Sequence, residues 1–465
     1  MAISSVVVKG WRALLHKMQN NRVFKASSWV LMGYIISQAL RLGGNLIMTR
    51  LLVPEMFGIM ALCQTFLYIL AMISDVGIGP NIIRSKRGEE QDFLNTAWTL
   101  QIIRGAFICI LVALAAMGIG YAQTNQMISS TSAFSETQLP VILTVMSLTA
   151  FISGFKSTNL ILANRNIQLT RLTVLELISQ FLGLVVMIGW AFVAKSVWAL
   201  VAGAMVSSVS LVLLSHFGFP GAVNKIKFDR NAVFEIISYG KWILLTSIIT
   251  AMLNQGDRLI MGSLISAKDL GIYAIALFIT TSISQALMKL NGMVFFPLLS
   301  ETARDNSEKL AETYYKIRKN TDAVSFTAAG ILFAFGVTLV DFLYDDRYIL
   351  AGEMVAILSF ALLLKSPTVS SAVYMAIGKP KYVSLMVAVE SVVKLVSLPI
   401  LFSIGGLKLA VWAVALFTLS IIPIDFYYKW KIGILRLSRE FIMYPIYLVG
   451  LAIGLLLDYL FSYFV

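Results

Sequence analysis

Apolar residues in this chain come in long unbroken runs rather than in alternation. Runs long enough to cross a hydrocarbon core, about 20 residues each, fall at 26–48, 57–79, 94–120, 140–162, 172–194 and 197–217. A second set falls at 234–264, 268–298, 321–343, 350–374, 382–404, 408–428 and 441–464. The pattern predicts thirteen spanning helices and therefore an all-α polytopic membrane protein. It also divides the chain: a basic interfacial segment at 1–25, spans 1–6 at 26–217, a linker at 218–233, spans 7–12 at 234–428, and a loop with a further span at 429–465.

The connections between runs alternate in charge. One set, beginning with the N-terminus, holds 24 Lys and Arg residues, and the opposite set holds 5. By the positive-inside rule the N-terminus is cytoplasmic. The formal net charge of +13 thus follows from topology, and nucleic acid is not an expected partner. Composition agrees with a membrane protein: 58% of residues are hydrophobic and 13% charged.

The first run has an echo. Residues 45–61 (NLIMTRLLVPEMFGIMA) align without gaps on 258–274 (RLIMGSLISAKDLGIYA), matching at seven of 17 positions. Six spans separate the copies, so both run in the same direction across the membrane. The expectation is two six-helix bundles related by a pseudo-two-fold axis along the membrane normal, with one or two further helices at the C-terminus.

Polar residues inside the runs then become informative, because a basic group at the bilayer centre costs roughly 2.5–3.5 kcal/mol. Gln38, Arg41 and Asn45 follow helical spacing on the first span; Ser247, Thr250, Asn254 and Arg258 do so on the seventh. The repeat sets Arg41 against Asn254 and Asn45 against Arg258, one pair in swapped order. Two readings stand open: hydrogen bonding that glues the bundles, or the lining of a cavity for a polar, anionic cargo. Arg104, Lys289 and Lys365 are further candidates for that lining, with structural ion pairing as their alternative. Lys394 follows Glu390 by four residues, the favourable order for an ion pair along one helix. Asp257 cannot face its neighbour Arg258 on a helix. It either pairs with a cation on another helix or binds a proton or sodium ion that drives transport.

Catalytic signatures are not found. GxGxxG, GxxxxGK[ST] and HExxH are missing, and the longest connection on the outer side, around 121–139, carries a single acid, Glu136. Cys63 and Cys109 stand alone within spans, and His16 and His216 form no cluster, so no metal site is expected.

The run MTRLLVPEMFGIMALCQTFLYILAMISDVGIGPNIIRSK, followed by LNTAWTLQIIRG, resembles the polysaccharide-transport (Wzx-type) flippases of the multidrug/oligosaccharidyl-lipid/polysaccharide exporter superfamily. Arg50-Leu51-Leu52, Pro54, Phe57-Gly58, Asp75-x-Gly77, Leu94-Asn95, Trp98 and Arg104-Gly105 carry the likeness, as do Asn254, Asp257-Arg258, Gly262 and Leu270-Gly271-x-Tyr273. It runs from about residue 26 to 430. The resemblance implies two lobes in a V around a cationic cavity, and a non-enzymatic transporter of the bacterial inner membrane. The implied cargo is an oligosaccharide repeat unit on undecaprenyl pyrophosphate, for O-antigen, exopolysaccharide or capsule assembly, with a polysaccharide polymerase and a chain-length regulator as partners. A cation-coupled multidrug exporter of the same superfamily is the alternative. Family members commonly have fourteen spans, whereas only one fits after residue 440, which leaves the side of the C-terminus open.

Overall fold

In a bilayer each backbone N–H and C=O must find its partner within the chain, and a helix does this segment by segment. The computed structural model describes residues 22–462 apart from 167, 220 and 222. Each of the thirteen expected runs is helical there. In chain order the helices are α1 (Arg22–Leu51), α2 (Pro54–Ile73), α3 (Ile78–Arg84), α4 (Gln91–Thr124), α5 (Leu139–Gly154), α6 (Asn159–Arg165), α7 (Leu169–Val193), α8 (Trp198–Phe217) and α9 (Arg230–Leu264). They continue as α10 (Ala267–Leu290), α11 (Phe296–Asp305), α12 (Leu310–Leu343), α13 (Ile349–Ser359), α14 (Ser366–Ala376), α15 (Pro380–Leu416), α16 (Ile422–Lys431), α17 (Leu437–Phe441) and α18 (Ile446–Phe461). Residues 1–21, most of the expected basic segment, lie outside the described residues.

By length and apolarity, ten helices among the described residues can cross a membrane, or eleven when the bent pair α5 and α6 is one span. The count falls below thirteen for visible reasons. The fourth run breaks by 62° between α5 and α6. At the break Ser215 Oγ and Asn224 Oδ1 accept from the Ser157 and Thr158 amides, in place of helix carbonyls. The eleventh and twelfth runs join into one stretch, Pro380–Lys431. Inside it Gly406 takes φ 63° and ψ −153°, which only glycine adopts readily, so two spans meet there. The seventh run is α9, a continuous helix of 35 residues despite Asn254, Gln255, Asp257 and Arg258. After residue 436 one span follows, Leu437–Phe461.

Packing sorts the spans into two bundles. In the first, α1 lies on α7, α7 on α8, α4 on α5 and α5 on α8. In the second, α9 lies on α15, α10 on α13, α12 on α13, and α13 on α15; α18 runs along α12. The expected linker is not slack. The Lys225, Lys227 and Asp229 amides donate in alternation to Asn95 Oδ1, Thr99 Oγ1 and Thr96 Oγ1, laying the chain along α4.

The bundles meet through α2, which packs against α9 and α10. Here the repeat acquires a physical meaning. A Cβ added at Gly58 would overlap the Ala267 carbonyl oxygen, and one at Gly271 would overlap that of Pro54. The sequence alignment pairs Gly58 with Gly271 and Pro54 with Ala267, so these contacts are one contact related by the pseudo-two-fold. Loops repeat the relation. Ser132 Oγ, from the α4–α5 connection, donates to Gly262 O at 2.9 Å, and the Ala133 amide donates to Ile265 O at 2.7 Å. From the α12–α13 connection, Arg347 Nη2 donates to Thr49 O at 3.0 Å. Thr49 and Gly262 are themselves aligned partners. Arg347 is oriented by Asp345, whose carboxyl these hydrogen bonds hold below its ordinary pKa. Phe57 and Tyr348 stack edge-on beside this strap, 6.2 Å between centroids. All these contacts lie at the end of the bundles opposite the start of α1, and they hold that end shut.

Candidate functional site

Asp257 and Arg258 sit in the last quarter of α9, which packs against α2 and α15, and they part company. Lys394 Nζ on α15 stands 2.7 Å from Asp257 Oδ1, with side chains only 6% and 3% exposed. Tyr273 donates its hydroxyl to the other oxygen at 2.7 Å, and Lys394 also donates to Leu253 O at 2.7 Å. Asp257 thus pairs across helices. The expected i,i+4 pair between Glu390 and Lys394 is not formed, because a nearer and more deeply buried carboxylate takes the lysine. Glu390 accepts from Thr418 Oγ1 instead, at 2.7 Å.

Arg258 has no carboxylate in ion-pairing range among the described residues. One Nη bonds Gln255 Oε1 on its own helix, and Thr65 Oγ1 of α2 donates to the same oxygen at 3.3 Å. Its Nε is buried without a partner. One turn back, Asn254 Nδ2 reaches Tyr68 Oη on α2 at 3.3 Å. The polar stripe of α9 therefore faces the lobe interface.

On α1, Arg41 is exposed and makes no ion pair among the described residues; Asn45, one turn on, is half-buried, and its carbonyl accepts from Thr49 Oγ1. Lys289, exposed on α10, lies over the Tyr34 ring of α1 at 5.8 Å, and Tyr34 donates to Ser282 O of α10 at 3.2 Å. These contacts join the lobes nearer the start of α1.

Two other expected lining residues fare differently. Arg104 is taken up by α2: Nη2 donates to Ala71 O at 2.6 Å, Nε to Ser74 Oγ at 3.3 Å, and Asp75 Oδ1 is 3.7 Å away. A cation over the C-terminal turn of a helix meets its exposed carbonyls and the negative end of its dipole, and here it ties α4 to the end of α2. Lys365 sits at the break between α13 and α14, half-buried beside a cavity of about 30 Å³ that it shares with Asn291 and Thr321.

One constellation was not foreseen. Arg318, Asp322, Asp425, Lys429 and Glu440 form a network in which no side chain is more than 4% exposed. Arg318 and Lys429 lie just outside the apolar runs at 321–343 and 408–428, where the sequence places connections. The signal available was the i,i+4 spacing of Arg318 with Asp322 and of Asp425 with Lys429.

Two pseudo-symmetric helical bundles, tied together through α2 and the paired glycine contacts, define a multi-pass membrane protein. The fold is that of "Lipid II flippase MurJ, inward closed conformation", with a TM-score of 0.68, 11% identity, and coverage of 93% of this chain and 97% of that one. It is similar also to an inward-facing multidrug resistance MATE family transporter of the MOP superfamily (TM-score 0.60, 14% identity, 93% and 95% covered). A MOP superfamily transporter from Pyrococcus furiosus has the same fold (TM-score 0.57, 15% identity, 96% and 98% covered). The chain belongs to the polysaccharide biosynthesis protein family, whose pattern it matches over residues 47–353. It is 20% identical over 328 residues to the lipopolysaccharide biosynthesis protein WzxC of Escherichia coli (strain K12), an alignment that spans 70% of this chain and 64% of that relative's length. The Wzx-type kinship expected from the sequence holds.

Proposed function

We propose that this protein flips an undecaprenyl-pyrophosphate-linked oligosaccharide across the bacterial inner membrane, from the cytoplasmic to the opposite leaflet, by alternating access. The observation that carries this reading is Arg258: a half-buried guanidinium at the lobe interface with no acid partner among the described residues and an unfilled Nε. Arg41 and Lys289 add two exposed cations without ion pairs among the described residues, while Asp257 and Asp75 are each matched by a base. Desolvated guanidinium suits phosphate oxygens. An organic cation, the cargo of a multidrug exporter, would meet repulsion from the same groups. In this reading the lobes 26–217 and 234–428 rock about the linker 218–233, the N-terminus is cytoplasmic, and the sealed end is the outer one. The protein performs no catalysis of its own and hands its cargo to a polymerase and a chain-length regulator.

Deleting the gene tests the role: lipid-linked repeat units should accumulate on the cytoplasmic leaflet and surface polymer should disappear, with the sugar-assembly enzymes still active. Normal surface polymer in a strain with no paralogue would overturn the proposal. A second result bears on the site. Arg258→Ala should weaken binding of a soluble pyrophosphate-sugar analogue by about 1.5–3 kcal/mol, the worth of a hydrogen bond to a charged group, with the melting temperature little changed. Arg258→Lys should recover part of the loss, and Arg41→Ala should behave like Arg258→Ala. Unchanged binding with a sharply lower melting temperature would assign Arg258 to structure alone.

A further inference from the structure

The buried network of the second bundle does not balance its charges. Two cations, Arg318 and Lys429, are set among three carboxylates, Asp322, Asp425 and Glu440, and all five side chains are at least 96% buried. An uncompensated charge in such a place costs several kcal/mol, and a carboxyl group in that position takes a proton instead. By contrast, Asp257 has both oxygens filled and one lysine to match it, so no charge is left over there.

The donors decide which carboxyl carries the proton. Asp425 accepts from Tyr374 Oη at 2.8 Å on one oxygen, and from Lys429 at 2.7 Å and Ser370 at 3.2 Å on the other. Glu440 accepts from Arg318 and Lys429 on Oε2, and from Tyr315 Oη at 2.9 Å and Lys429 on Oε1. Asp322 accepts from Arg318 Nε at 2.9 Å on Oδ2, and its Oδ1 is buried with no partner. One turn along the same face of α12, Ser325 Oγ is also buried and unpartnered. The remaining groups acting on Asp322 are the Lys429 ammonium and the Tyr444 phenol.

We propose that Asp322 is a proton-binding site: Oδ1 takes up and releases one proton, and Ser325 Oγ lies on the same helix face to receive its hydrogen bond. Two unfilled oxygens are too few to replace the hydration shell of a metal cation, whereas one proton neutralises the surplus charge. Water has access. Lys319 and Asn320, next to Arg318, are exposed, and a cavity of about 300 Å³ lies alongside, lined in part by Arg318, Asp425, Glu440 and Tyr444. The site stands independently of the cargo.

Infrared difference spectra of the purified full-length protein across a pH jump test this directly. The wild type should show a protonated-carboxyl band that vanishes with the release of one proton, and Asp322→Asn should lose both. Melting curves give a second readout. The folded state holds a proton that the unfolded chain releases, so wild-type stability should fall as pH rises through the titration. Asp322→Asn, which mimics the protonated carboxyl, should be insensitive over that interval. Should Asp322→Asn fail to fold, Ser325→Ala should fold and move the carboxyl titration to a different pH. A band that persists in Asp322→Asn, or that is unmoved by Ser325→Ala, would overturn the proposal.

Discussion

Replacing Lys394 with methionine is expected to be the most damaging single change in the protein, at about 3–5 kcal/mol, the cost of breaking one side of a buried ion pair. The variant leaves the Asp257 carboxylate 3% exposed with one hydroxyl donor, Tyr273, and no counter-charge. Methionine fills the space of the lysine stem, so packing loss does not confuse the result. Asp257→Asn alone strands the lysine ammonium, held then by the Leu253 carbonyl, and should also lower the melting temperature. The double variant, Asp257→Asn with Lys394→Met, removes both charges and should recover most of the loss. Melts of detergent-purified protein measure this as a double-mutant cycle. If the double variant is as unstable as the sum of the singles, the pair is not coupled. Because α9 and α15 are both in the second bundle, the effect should appear as loss of folded protein, not as a selective loss of cargo binding.

Placing a methyl group at Gly58 or Gly271 should wedge the sealed end of the lobes open. The added Cβ would overlap a backbone carbonyl in either case, at Ala267 or at Pro54. A carbonyl in a helical first turn cannot rotate away as a side chain could. Overpacking of this kind costs about 1–3 kcal/mol, which would shift the balance between sealed and open ends roughly 5- to 150-fold. Hydrogen exchange over residues 45–61 and 258–274 should accelerate in both variants. Gly43→Ala and Gly79→Ala, where a Cβ meets nothing within 4 Å, should leave it unchanged. Since both glycines belong to one joint, the double variant should fall short of the two single effects added together. Equal exchange in Gly58→Ala and Gly43→Ala would show that the joint does not hold the lobes.

The spans were legible because hydrocarbon thickness imposes a minimum apolar length, and that requirement is written in consecutive residues. The repeat was legible for a related reason: backbones that approach closely require glycine, and Gly58 and Gly271 mark the place in both halves. Partnerships of charged side chains were not. Lys394 lies 137 residues from Asp257, and the rule for single helices pointed to Glu390, four residues away. Arg104 reads as a lining candidate because its partners at the end of α2, the Ala71 carbonyl and the Ser74 hydroxyl, are not revealed by composition. Arg318 and Lys429 lie just beyond the ends of apolar runs, where charges ordinarily meet water. Here α17 folds back and brings Glu440 over them, a contact that depends on a turn far along the chain.

The two straps across the lobes end on main-chain oxygens: Thr49 O receives a guanidinium and Gly262 O a hydroxyl. No point substitution can delete a carbonyl. The donors are therefore free to diverge between the halves, and serine and arginine already have, provided each loop still delivers some N–H or O–H to the same place. A chain copied from one ancestral half and left to drift would keep its hinge geometry while losing nearly all resemblance between its loops. In other chains of this architecture, the corresponding oxygens are the fixed points to superimpose, whatever residues now reach for them.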